Sequence, residues 1–291
     1  MSKRIQVALA LVALGVSGCG VATGAPTETG EPSIDALPAI TAYSDVEFPL
    51  AAFRTRPDEQ LTLGRAYDRA VQGCLARYGI DYPLPERTAT PNFDRPIGVI
   101  SADEAARFGY KSPHAADIAA TDRAKAAEKT PDTVTLGVLS GAGKSTVNGV
   151  TVPVGGCAAQ AQHALAEHNP SQENRVIALV SESYTRAEAD SRVVAAFGRW
   201  RTCMNAAGFD YRDPWAANND PAFGTGEPTA QEIATARADV ACRVRENVTG
   251  TWLAVIIAYQ KRLVSQHQSD LDRYRSETET QLKAAAPLLG R

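Results

Sequence analysis

The five cysteines are the residues in this 291-residue chain that could carry the most specific chemistry. Thiolates bind zinc when they occur in closely spaced pairs such as C-x2-C. The nearest two cysteines here, Cys203 and Cys242, lie 39 positions apart (242 − 203). This spacing argues against a metal site, so acylation and disulfide formation are the reactions to consider.

A second candidate for chemistry is the run G-A-G-K-S-T at positions 141–146, which looks like the end of a phosphate-binding P-loop. The complete motif has a further glycine at the position of Val138, and it lies between a buried strand and a helix. Here Asn148-Gly149 follows between valines, which predicts a β-hairpin. We therefore expect a flexible turn, and no nucleotide as a partner.

Histidines and serines offer no clearer catalytic group. His163 and His168 share a predicted helix with Glu167, but residues five apart lie about 140° from each other around a helix and do not easily face one metal ion. Ser181–Ser183 has no assigned base, and no G-x-S-x-G sequence occurs. We therefore assign no catalytic, cofactor-binding or metal-binding residue.

The three tryptophans differ in their sequence context. Trp200 and Trp252 follow a helical periodicity, which favours a place in the core. Trp215 lies in a Pro- and Asn-rich loop, so it is the best candidate for an exposed aromatic at a binding site.

The N-terminus has the three parts of an export signal. Lys3 and Arg4 supply positive charge, and the apolar run that follows at 5–16 is too short to span a bilayer. V-S-G-C comes next, at positions 16–19. This order resembles the lipobox of bacterial lipoproteins, which implies cleavage before Cys19 and lipidation of its thiol. The alternative is an ordinary secretory signal with a chance cysteine.

This resemblance implies how the chain is organised. Residues 1–18 would be the signal peptide, and 19–42 the lipidated cysteine with a flexible tether too polar to fold. Residues 43–291 would form a single domain. No later apolar run has the roughly 20 residues of a transmembrane helix, so the protein would reach the membrane through its lipid alone. It would lie at the outer face of the cytoplasmic membrane.

Charge and compartment restrict the possible partners. The formal net charge is −3, and the mature chain, without Lys3 and Arg4, carries −5. It has no basic block, so nucleic acid is not an expected partner. In an oxidising compartment an even number of cysteines indicates disulfides. The four that remain after Cys19 predict two disulfides, which could pair in three ways.

A repeated motif is the strongest internal pattern. C-φ-x-x-x-G-φ-D-Y-x-x-P, where φ is apolar, occurs at 74–85 and again at 203–214. Each copy follows an amphipathic stretch, so we interpret it as a helix end with Gly79 or Gly208 in the left-handed position. Asp81 and the matching aspartate of the second copy are interpreted as solvated or capping groups. The pattern predicts an internal duplication, with pseudo-repeats at about 58–168 and 186–250.

The duplication suggests which cysteines pair. Cys74 and Cys203 lie in the last turns of the two repeated helices, and each copy is followed later by a second helix with a cysteine. This favours Cys74 with Cys157 and Cys203 with Cys242, so that each bridge joins two helices of one repeat.

The fold class follows from the helical patterns. We predict a mainly α, disulfide-stapled domain built on the duplication, with a small β-hairpin and a long C-terminal helix at about 251–285. Its apolar stripe thins after Tyr274, so the end of this helix is expected to project into solvent or meet a partner. The other helices are predicted at about 58–78, 101–109, 113–128, 157–168, 171–183, 186–207 and 229–247.

The cysteine repeat, together with the Gly-Gly-Cys helix start at 155–157, resembles uncharacterised lipoproteins of actinomycete-type bacteria. This resemblance implies an envelope location and brings no catalytic residue. Our leading hypothesis is a non-catalytic binding or accessory module, with an envelope protein as a possible partner. One alternative is an envelope hydrolase whose site forms only in three dimensions. The other is a solute-binding lipoprotein of a transporter, although the alternating βα pattern of that class does not occur.

Overall fold

The structure is a computed structural model that describes residues 30–35, 40–84, 87–88, 95–127, 130–166, 170–224 and 226–290, without the side chains of 170–173. The chain divides into a unit at Met1–Gly30 and a unit at Glu31–Arg291. Almost all described residues belong to the second unit, and the features below are those of that unit.

The described part of the chain is mainly helical, as the sequence predicts. One two-stranded antiparallel hairpin interrupts the helices, and Val147 pairs with Val150 across its Asn-Gly turn. The elements are α1 Pro57–Ala76, α2 Ala102–Phe108, α3 Ala115–Ala126, α4 Thr133–Ser140, β1 Thr146–Val147, β2 Val150–Thr151, α5 Gly156–Ala164, α6 Pro170–Ala189, α7 Ser191–Ala206, α8 Pro214–Asn218, α9 Ala230–Arg245 and α10 Val248–Leu288, with short 3-10 helices at Tyr43–Asp45, Pro49–Phe53 and Pro221–Phe223.

Two of these helices, α4 and α8, are not among those predicted. Threonine, valine and glycine predominate in α4, and they favour helix only weakly. Capping defines its ends: the Asp132 carboxylate accepts hydrogen bonds from two backbone N–H groups, and Gly141 ends the helix with φ of +72°. In α8, Asp213 caps the first turn and Pro214 occupies its first position.

Helix α10 is the centre of the fold and contacts α1, α6, α7 and α9. It bends at His267, whose backbone is not helical. Its C-terminal part does not project into solvent, because Thr278, Gln281 and Ala285 are buried and this part packs on α1. The expectation of a projecting end is wrong because two of these buried residues, Thr278 and Gln281, are polar and do not extend the apolar stripe. Contact of this end with a partner stays a prediction.

Two of the tryptophans lie in the core, and the third, Trp215, is partly buried against it. Trp200 and Trp252 are buried, as predicted. Trp215 is not an exposed aromatic: it packs edge-to-face on Trp252 at a ring distance of 5.6 Å, and its indole N–H donates to Glu188 at 2.7 Å. The short α8 turns this residue inward, which a loop assignment could not anticipate.

Both repeated motifs form the same helix end. Gly79 and Gly208 have φ of +67° and +89°. The next residue, Ile80 or Phe209, donates its backbone N–H to the carbonyl five positions earlier, at 3.2 and 2.9 Å respectively. This is the Schellman arrangement, which satisfies carbonyls left open at a helix end.

The cysteines pair as the repeat suggests. Cys74 lies at disulfide distance from Cys157, with Cα atoms 5.6 Å apart, and Cys203 from Cys242, with Cα atoms 5.7 Å apart. The two halves nevertheless differ, since Cys157 lies in the first turn of α5 and Cys242 near the end of α9. Helix α5 therefore runs back along α1, whereas α9 runs in the direction of α7. The likeness of the halves is limited to the first helix and its end.

Part of the predicted tether contacts the folded domain. Ile34 and Ile40 pack against the core cluster around Trp252. The Glu31 carboxylate accepts hydrogen bonds from the backbone N–H and hydroxyl of Ser191, at 2.6 and 2.8 Å. A carboxylate at the start of α7 is favourably placed in the helix dipole. A few apolar residues and one acid are enough to fix a segment whose composition predicts flexibility.

Candidate functional site

A buried charge cluster holds the loops around α2 against α9. The Asp239 carboxylate accepts hydrogen bonds from the Arg243 guanidinium at 2.7 and 3.2 Å, from the Trp200 indole at 2.7 Å and from the Tyr110 hydroxyl at 3.2 Å. Asp239 is 0% and Arg243 1% exposed. Arg243 also donates to the carbonyl of Ile97 at 2.8 Å. The cluster thus joins three segments that are distant in sequence.

The electrostatics of this cluster point to a structural role. Burial lowers the pKa of Arg243, but the adjacent Asp239 carboxylate outweighs it and the net shift is upward. Burial and Asp239 together raise the pKa of Tyr110. The raised pKa values keep Arg243 charged and the Tyr110 hydroxyl protonated, and the ion pair is almost fully buried, so the cluster is suited to positioning the backbone.

A groove runs between the segment at 43–54 and helix α6. It consists of two adjoining cavities of about 290 and 330 Å³. Several of its polar groups are already used within the protein, whereas the Nε and Nη2 atoms of Arg95 are buried without a hydrogen bond to a described residue. The Tyr43 hydroxyl donates to the Gly98 carbonyl at 2.7 Å, and Gln260 accepts from the Leu50 N–H at 3.1 Å and donates to Ser183 at 3.2 Å. Burial raises the pKa of Tyr43 to about 12.

A second cavity, of about 320 Å³, lies between α1, α5 and α10. We call it the α1–α5–α10 cavity. Its apolar surface comes from Leu63 and Leu165, and Gly64 lies beside them in the lining. Its other lining residues are polar: Thr55, Gln60, Tyr67, Arg87, Gln162 and Gln281.

Several polar groups of the α1–α5–α10 cavity have unused hydrogen-bonding capacity. Gln281 is only 6% exposed, yet its carboxamide makes no hydrogen bond to any described residue. The exposed Gln162 carboxamide and the hydroxyl of the half-buried Tyr67 also make no hydrogen bond to a described residue. Burial and the neighbouring Asp68 carboxylate raise the pKa of Tyr67, so its hydroxyl remains a donor. A nearly buried polar side chain normally has a partner, so the unpaired carboxamide of Gln281 at this cavity favours an external ligand.

The charge at the edge of this cavity is neutralised. Arg87 donates to both carboxylate oxygens of Asp68, at 2.5 and 3.0 Å. The Arg87 side chain lies against Gly64, where a Cβ atom would come within 2.7 Å of it. The glycine therefore lets the arginine cross helix α1 and reach its partner.

The residues singled out in the sequence do not meet at either cavity. Cys19, Glu167 and His168 lie outside the described residues. Lys144 is exposed. Its glycine-rich turn follows helix α4 and leads into the hairpin, so the order here is helix–turn–hairpin and not the strand–loop–helix order of a P-loop. His267 lies at the bend of α10, within 3.2 Å of the Arg175 guanidinium.

The sequence held little sign of the α1–α5–α10 cavity. Glutamine and tyrosine on amphipathic helices are expected on solvated faces, and these residues come from segments more than two hundred positions apart (281 − 60 = 221). The one local signal is Gly64 inside a helix, a position where glycine is unfavourable without a packing reason.

No helix in the described ranges is both long and apolar enough to cross a membrane. The same residues contain no group of three or more His, Cys, Asp or Glu side chains placed to hold a metal ion. No protein-family model, curated protein sequence or solved structure matches this chain.

Proposed function

We propose that this chain is the precursor of a lipoprotein, anchored at the outer face of the cytoplasmic membrane, whose domain is a non-catalytic binding module. The observation that carries the proposal is V-S-G-C at positions 16–19, directly after a basic start and an apolar run. A lipid on Cys19 would hold the domain at the membrane, and a second acyl chain would make the attachment stable.

Two features of the domain support this location and role. Two cysteine pairs at disulfide distance are typical of proteins outside the cytoplasm. The α1–α5–α10 cavity has the size of a small-molecule site, and the carboxamide of Gln281 that lines it has no hydrogen bond to a described residue, which favours binding. An envelope protein that receives or presents the ligand belongs to the same proposal.

Metabolic labelling tests the anchor. The full chain, expressed in a bacterium supplied with an alkyne fatty acid, should incorporate the label and enter the detergent phase. Cys19→Ala should lose both properties, because the thiol is the acyl acceptor. Ser17→Ala is the matched control: it keeps a small residue before the cysteine and should be labelled like the parent. Equal labelling of Cys19→Ala and the parent would contradict the proposal.

A further inference from the structure

We infer that the α1–α5–α10 cavity binds a neutral saccharide of one or two rings, with its hydroxyl groups held by the carboxamides of Gln281, Gln162 and Gln60. The inference rests on the proposed role as a binding module and names the chemical class of its ligand.

Unused hydrogen-bonding capacity is the first argument. A carboxamide offers two N–H donors and a carbonyl acceptor, which suits a hydroxyl that both donates and accepts. Gln281 is more than nine-tenths buried and unpaired among the described residues, and it lines the cavity from α10. Gln162 faces the same space from α5, and Gln60, which donates to the Thr55 carbonyl at 3.2 Å, still has a carboxamide oxygen to offer. An unmade hydrogen bond is costly at a buried group, which applies to Gln281, while Gln162 and Gln60 are exposed and add further donors and acceptors at the opening.

The apolar surface is the second argument. A sugar ring has hydroxyls around its edge and C–H groups on its faces, so it needs apolar contact as well as hydrogen bonds. Tyr67, Leu63 and Leu165 provide this contact. Tyrosine combines an apolar ring with a polar tip, and the Tyr67 hydroxyl has no partner among the described residues.

The charge and volume of the α1–α5–α10 cavity restrict the class of ligand further. Arg87 is the single charged residue among the described residues that line this cavity, and Asp68 neutralises it through two hydrogen bonds. A carboxylate or ammonium group on the ligand would lose hydration without gaining a free counter-charge. The volume of about 320 Å³ lies at the small end of ligand sites, which suits one or two sugar rings.

A matched set of sugars tests the inference. The purified, oxidised domain is titrated with glucose, galactose, N-acetylglucosamine and their disaccharides, and with glucosamine and glucuronate as charged analogues, followed by ligand-observed NMR. At least one neutral sugar should bind with a Kd of about 1 mM or below, and the charged analogues about tenfold more weakly. Failure of every neutral sugar, or tighter binding of a charged analogue, would overturn the inference. So would equally tight binding of a neutral tripeptide, since this would indicate a peptide site.

A substitution locates the binding. Gln281→Leu keeps the volume and removes the carboxamide, so the affinity for the sugar should fall about tenfold. Because Gln281 has no hydrogen-bond partner among the described residues, its loss should leave the melting temperature unchanged or raise it, which separates a lost contact from unfolding. Gln268→Leu, on the same helix but paired with Asp272 at the surface, should bind like the parent. Unchanged affinity in Gln281→Leu would refute the placement.

The two proposals fail in different ways. Gln281→Leu should still be labelled at Cys19 and fractionate with membranes. Absence of fatty-acid labelling with intact sugar binding would contradict the lipid anchor and support the saccharide site. Intact labelling without sugar binding would support the anchor and contradict the saccharide site.

Discussion

The buried pair of Asp239 and Arg243 allows the sharpest prediction of stability. In Asp239→Asn the side chain keeps its shape but one carboxylate oxygen becomes an amide nitrogen, which cannot accept from Arg243, Tyr110 or Trp200. The Arg243 charge then remains buried without a counter-charge. Breaking a buried ion pair from one side costs about 3–5 kcal/mol of the free energy of unfolding.

Thermal and urea unfolding measure this cost. At about 2–4 °C per kcal/mol for a domain of this size, Asp239→Asn should lower the melting temperature by about 6–20 °C. The matched control is Asp58→Asn, which removes the same charge from an ion pair with Arg56 whose side chains are 75% and 58% exposed. Exposed pairs contribute about 0–1 kcal/mol. If Asp239→Asn cost no more than Asp58→Asn, the assignment of the cluster as the joint between the loops and α9 would be wrong.

Three further changes test the helix ends, the cysteine pairing and an ion pair. Gly208→Ala should lower the free energy of unfolding by about 1–2 kcal/mol, because the backbone φ is +89° there although nothing obstructs the new methyl group. The control is Gly73→Ala, which lies inside α1 and is equally unobstructed; it should be neutral or stabilising by up to about 1 kcal/mol. Urea titrations measure both. Serine at both Cys203 and Cys242 should cost about 4 kcal/mol for a separation of 39 residues, and peptide mapping of the non-reduced parent should recover the linked peptides. Hydrogen bonds from Arg275 hold the pKa of Glu59 below its usual 4.5 in the folded protein. The ionised Glu59 therefore stabilises the fold above that pH, and this stabilisation is lost as the pH falls through the lower folded-state value. In a pH series of melting temperatures, Glu59→Gln should reduce the fall in melting temperature on the acid side.

Local patterns in the sequence predicted the parts of the fold that depend on local physics. The two helix ends follow from glycine in the left-handed position, and the hairpin from Asn148-Gly149. Helix α4 was missed because its propensity is weak and its stability comes from the Asp132 cap and from contact with α5. Tertiary packing also decided the position of Trp215, which α8 turns toward the core.

The candidate site could not be predicted in this way. In the sequence, Gln60 and Gln281 look like ordinary helical residues, and only the packing of α10 on α1 brings them to the same cavity. No spacing rule relates them, because the contact between these helices depends on pairs that are far apart in sequence, such as Ala66 with Ala285 and Glu59 with Arg275. The direction of the second helix in each half, α5 or α9, depends on whether its cysteine lies near the start or the end of that helix. The repeated motif does not contain this information.

The most direct test of the central claim is the intact mass of the mature protein purified from membranes. Our account requires a chain that begins at Cys19 and carries a diacylglyceryl group on its thiol, together with the loss of two hydrogens for each of the two cysteine pairs. A mature chain that begins at another residue, or a Cys19 without lipid, would contradict the assignment of this protein as a membrane-anchored lipoprotein.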